Sequence, residues 1–128
     1  MPFLLDTHAL LWWLTDDPRL SPRAREVIAD VENRVLVSAA SAWELAIKHR
    51  LGKLDQAADA LHYFDELVSA DAFEHLPITH RHAIAAGRLP VEHRDPFDRM
   101  LAAQSVIEDA PLITTDRAFE QFQVRVVW

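Results

Sequence analysis

The chain alternates short apolar runs with longer amphipathic stretches, and few folds accommodate that rhythm. Phe3-Leu4-Leu5, Arg34-Val35-Leu36-Val37, Leu112-Ile113-Thr114 and Val124 to Val127 are such runs, with Phe73 to Leu76 a weaker one. A strand that is apolar on both faces must be covered on both faces, the situation of a buried parallel sheet. Helical stretches separate the runs: Thr7 to Leu14, a helix opened by Ser21-Pro22, Ala39 to Leu51, Ala57 to Ala70, His80 to Gly87, and one from Asp95-Pro96 through Glu108. The sequence therefore predicts an α/β fold, a three-layer α/β/α sandwich around a central, mainly parallel sheet of about five strands. With 128 residues and no segment rich in Gly, Ser or Pro, residues 1–128 are expected to form one domain.

Composition narrows the chemistry. The chain has no cysteine, which excludes disulfides, thiolate zinc sites, iron–sulfur ligation and a cysteine nucleophile. Thirteen Lys and Arg stand against twenty Asp and Glu, a formal charge of -7. Nucleic-acid binding through bulk positive charge is disfavoured, and a carboxylate-rich site or a basic partner is favoured. The longest apolar stretch, Ala9 to Leu14, is too short to span a bilayer, and no positive n-region precedes it. A cytoplasmic protein without a membrane role is expected. Glycine-rich phosphate loops, Gly-x-Ser-x-Gly and His-Glu-x-x-His are all missing from the sequence.

Four acids fall where such a sheet would gather them. In open α/β sheets the binding crevice lies beyond the carboxyl ends of the strands, at the switch in strand order. Asp6 ends the first strand and Asp116 follows the fourth, so both should emerge at one sheet edge. Each could equally be the cap of the following helix. Glu44 lies in the helix after the second strand, flanking a packing face of Ala40, Trp43, Ile47 and Leu51. It either joins the acids or pairs with Lys48 one turn on. Asp95, Pro96 and Asp98 suit the cap, first residue and capping-box acid of the long helix. Four carboxylates in one crevice raise each other's pKa, and a divalent cation resolves that conflict. All-oxygen ligands select Mg²⁺ or Mn²⁺, and the chemistry that follows is hydrolysis of a phosphate ester.

Taken in order, Leu4-Leu5-Asp6-Thr7-His8, Ser38-Ala39 through Trp43-Glu44-Leu45, Asp95-Pro96-Phe97-Asp98-Arg99-Met100-Leu101-Ala102-Ala103-Gln104 and Leu112-Ile113-Thr114-Thr115-Asp116 resemble a PIN-domain nuclease. The resemblance is to the VapC toxins of type II toxin–antitoxin pairs and covers essentially the whole chain. It implies an Mg²⁺- or Mn²⁺-dependent endoribonuclease whose acidic quartet is Asp6, Glu44, Asp98 and Asp116, with Asp6 and Asp98 the direct metal ligands. Thr7, Ser38 and Thr115 fall beside the acids, as cap and turn hydroxyls or as groups that hold waters and orient carboxylates. Asp95 is an additional acid, kept as a helix cap with an outer-sphere role open. The resemblance also implies a homodimer and a cognate antitoxin protein that carries a basic side chain to the acids.

Substrate contacts are less marked. His80 to Arg99 holds Arg81, Arg88, Arg94 and Arg99 against three acids, the least acidic part of the chain. Arg94 and Arg99, close to Asp98, are the candidate contacts to RNA phosphates. A receiver domain would need a lysine near the last strand, whereas Lys48 and Lys53 lie mid-chain. A haloacid-type phosphatase would need an acid where His8 stands. The alternative from another class is a catalytically weak PIN fold that binds RNA or protein.

Overall fold

A computed structural model describes residues 1–55, 57–93 and 95–128. Five strands form one sheet: β1 (Pro2–Leu5), β2 (Arg34–Ser38), β3 (Glu74–Leu76), β4 (Leu112–Ile113) and β5 (Val126–Val127). Their order is β3-β2-β1-β4-β5, and every neighbouring pair is parallel. The expected parallel sheet of five strands is what forms, with strand ends a residue or two from the sequence estimates. Strand order reverses between β1 and β4, so the crevice opens over the ends of those two strands.

Alternation along each strand divides the core in two. Phe3, Leu5, Val35, Val37 and Ile113 face one side, where they pack with α1 (Thr7–Leu14), α2 (Pro22–Ala29), α3 (Ala39–Arg50), α4 (Ala57–His62) and α5 (Phe64–Ala70). Leu4, Leu36, Leu76 and Leu112 face the other, against Leu101 and Ala102 of α7 (Pro96–Ile107) and Phe119 and Phe122 of the 3₁₀ turn Arg117–Phe122. Helix α6 (His80–Arg88) packs along α7. Leu4, Leu5, Leu112 and Ile113 are fully buried, each worth about 1.5–3 kcal/mol of apolar transfer. Among the described residues no helix is long and apolar enough to cross a membrane.

Two expectations need correction. The stretch Ala57 to Ala70 is not one helix: Tyr63, at φ -108° and ψ 25°, separates α4 from α5. The bend lets Ala57, Ala60 and Val68 reach the same core. Helix α3 also buries a different face. Ala40, Ser41, Glu44 and Leu45 point inward, while Trp43 is 58% exposed and Leu51 52%. Polar contacts set that rotation: Thr7 donates to Ser41 at 3.1 Å, and Ser38 donates to Gln104 of α7 at 2.6 Å. Trp43 instead meets the Phe97 ring edge-on at 5.1 Å.

Helix ends with left-handed residues recur. After α3, Gly52 (φ 73°) donates to the His49 carbonyl and Lys53 to that of Lys48, a Schellman motif. The same paired bonds close α5, but there the left-handed residue is Ala72 (φ 58°), whose Cβ opposes that conformation. Ala72→Gly is expected to raise stability by about 1 kcal/mol, read as a higher urea midpoint at unchanged slope.

Candidate active site

Each acid is placed by a strand end or a helix start. Asp6 follows β1 and caps α1, accepting the Ala9 N–H at 2.7 Å. Asp116 follows β4 by a short link and caps the 3₁₀ turn, accepting the Ala118 N–H at 2.9 Å. Asp95 caps α7 through the N–H groups of Phe97 and Asp98, at 2.9 and 3.2 Å. The cap readings therefore hold as geometry.

Asp6 is buried, 6% exposed. Burial pushes its pKa up to about 6, and the charges of Asp116 and Glu44 push in the same direction. Hydrogen bonds from the Thr114 side chain and the Ala9 amide oppose the rise. Glu44 is buried on α3 and pairs with Lys48 at 2.8 Å, so both roles open to it in the sequence meet in one side chain. Asp98 stands in the first turn of α7, also raised to about 6, first by burial and then by Asp95 and Asp116. Its Oδ2 lies 2.8 Å from His93 Nε2. That contact, rather than the capping-box bond, occupies the Asp98 side chain.

Asp116 is the shared neighbour, raising the pKa of both Asp6 and Asp98. Among the described residues, however, no three His, Cys, Asp or Glu side chains close into one ion-holding cluster. Glu44 and Asp98 lean instead on Lys48 and His93. The donor set itself is all oxygen, hard, and short of positive charge at its buried centre, which fits a Mg²⁺- or Mn²⁺-type ion.

The supporting residues divide differently from the sequence expectation. Thr7 and Ser38 spend their hydroxyls on Ser41 and Gln104, and Ser38 also caps α3 by accepting the Ala40 N–H at 3.0 Å. Thr115 is exposed, whereas Thr114 is buried, lies near enough to Asp6 to oppose the rise of its pKa, and accepts the Asp116 N–H at 2.9 Å. Two adjacent threonines gave no sequence signal for which one turns inward. His93 was also missed, since nothing in an irregular connection ties it to an acid five residues on. His8, beside Asp6, is held below the usual histidine range by burial and then by Lys48, against the pull of Glu44 and Asp116.

Arg99 is not available to RNA phosphates, contrary to expectation. Its five N–H groups donate to the carbonyls of Ala86, Gly87, Leu89, Val91 and His93, at 2.7 to 3.4 Å. The guanidinium thus ties the α6–α7 connection to the first turn of α7, behind the His93–Asp98 contact. Arg94, the other candidate, lies outside the described residues.

Comparison with known proteins converges on one family. The PIN domain family model matches residues 3–124. Ribonuclease VapC22 of Mycobacterium tuberculosis is 31% identical over 115 residues, 89% of this chain and 86% of that protein. Ribonuclease VapC16 of the same organism is 39% identical over 69 residues, 51% of this chain and about half of that relative, 49%. Among solved structures, VapBC2 from Rickettsia felis bound to a promoter DNA fragment contains a chain that superposes with TM-score 0.72 at 18% identity, covering 99% of this chain and 98% of that one.

The charge balance has a measurable cost. A carboxyl whose folded pKa is raised from 3.8 to about 6 makes the fold lose stability as pH rises between those values, and the loss persists above them. Asp6→Asn, which can still cap α1, is expected to be more stable than the parent at pH 7.5 by up to about 3 kcal/mol. At pH 3, below both pKa values, the two should melt together; an advantage independent of pH would refute the electrostatic cause. Arg99→Lys, which cannot reproduce the planar fork of donors, should cost about 2–4 kcal/mol in the same melts.

Proposed function

Because the chain belongs to the PIN domain family, we propose that it is an endoribonuclease, the toxin of a type II toxin–antitoxin pair, hydrolysing RNA phosphodiesters with Mg²⁺ or Mn²⁺. One observation carries the reading. A buried carboxylate, Asp6, sits at the sheet's switch point under the charges of Glu44 and Asp116, an arrangement that destabilises the fold unless positive charge or substrate chemistry uses it.

Asp6 and Asp98 are the residues that would hold the ion, with Glu44 and Asp116 completing the charge balance. When bound, a divalent cation supplies Lewis acidity toward a phosphoryl oxygen and a more acidic water as nucleophile. The protein's own residues do the positioning. The Thr114 hydroxyl, near Asp6, accepts the Asp116 backbone N–H. Lys48 holds Glu44 in the crevice. His93 holds one oxygen of Asp98 at 2.8 Å.

An acidic chain recognises RNA by shape and local contacts rather than bulk charge. The same balance suits a cytoplasmic antitoxin whose basic segment reaches the acids; the family resemblance adds a homodimer as the working unit. Total cellular RNA should yield discrete fragments with Mg²⁺ and none with EDTA or with Asp6→Asn. The ends should be 5′-phosphate and 3′-hydroxyl; 2′,3′-cyclic ends, or cleavage that persists in EDTA, would overturn the reading.

A further inference from the structure

We infer that the cavity at the ends of β4 and β5, walled by Trp128, takes one unpaired base of the RNA strand next to the phosphate held at the acids. The identity of the ligand rests on the ribonuclease reading above; the place of the cavity rests on geometry alone. Ile113 pairs with Val127 across the two parallel strands, and the Val127 carbonyl accepts the Thr114 N–H at 3.2 Å. Thr114 and Trp128 therefore leave the same sheet edge on adjacent strands. Between them lies a cavity of about 220 Å³, lined by Thr115, Asp116, Arg117, Glu120, Val126 and Trp128 beside Thr114. It is smaller than the roughly 300–1,000 Å³ of sites for drug-sized ligands, which suits one ring system rather than a folded strand.

The aromatic wall continues back to the acids. Trp128 meets Trp12 edge-on at 5.8 Å, Trp12 meets His8 at 5.6 Å, and the Arg19 guanidinium lies 5.0 Å over the Trp12 ring. His8 is exposed and feels the charges of Glu44 and Asp116, so the strip begins beside the acids. Trp12 and Trp128 are half-buried, each packed against the core on one side. Their rings are thereby held in place before any ligand arrives, which lowers the ordering cost of binding. Bases stack on such rings whatever their identity. Thr115 and Arg117 at the rim add a hydroxyl and a cation beside Asp116 for the base edge and backbone. A chain of net charge -7 draws little from phosphate attraction, so stacking has to carry more of the affinity.

The test measures anisotropy of a short fluorescein-labelled single-stranded RNA with the full chain in EDTA, beside cleavage of the same RNA in Mg²⁺. Trp128→Ala should bind roughly tenfold more weakly, and Trp128→Phe should restore most of the loss. The unmodified protein, which raises no question of folding, should bind roughly tenfold more weakly to an RNA with an abasic site beside the cut. Indifference of the unmodified protein to abasic sites at every position, or equal binding by Trp128→Ala, would overturn the subsite. If RNA is cleaved while those changes have no effect, the subsite falls and the ribonuclease stands. Base-dependent binding at Trp128 without cleavage would support the subsite and remove the nuclease.

Discussion

Burying two carboxylates, Asp6 and Glu44, close to a third, Asp116, is the constraint around which this end of the molecule is arranged. A parallel sheet delivers every strand end to the same side, and the reversal of order between β1 and β4 puts Asp6 and Asp116 side by side there. The surrounding contacts limit repulsion without removing it. Lys48 meets Glu44, His93 meets Asp98, and the Thr114 hydroxyl stands against Asp6. Fold stability is thereby given up at one spot, a trade expected where a site is shaped by activity.

Much of this was legible because strand ends and helix starts leave local marks. The apolar run Phe3-Leu4-Leu5 followed by an acid, and Leu112-Ile113 followed shortly by another, fix Asp6 and Asp116 relative to the sheet with no knowledge of long-range contacts. The Asp95-Pro96 start of α7 was equally clear, since cap and first-turn chemistry are local. What escaped depends on partners distant in sequence. The inward face of α3 is set by Thr7 and Gln104, residues 34 and 66 positions from their partners Ser41 and Ser38, so an apolar stripe centred on Trp43 misjudged it. Arg99 looked like a phosphate contact because its neighbours are acids. Its real partners are carbonyls, which a sequence does not display.

The location of positive charge follows from the same layout. Lys48 and Arg99, both near the acids, are committed to Glu44 and to backbone carbonyls. Arg19 is tied to Asp17 at 2.8 Å, although it also covers the Trp12 ring. Under the proposed reading, recognition of a polyanion by this surface would therefore draw on aromatic rings and shape, with cations acting locally rather than as a field.

Surface connections usually tolerate gained or lost residues. The one between α6 and α7 is different, because three of its carbonyls, together with two from the last turn of α6, converge on a single planar group with fixed donor directions. Adding or deleting one residue there would put those carbonyls out of step and carry His93 away from Asp98. The number of residues in that connection is thus part of the site's specification, as much as the identity of the acids, and side chains along it are freer to vary than its length.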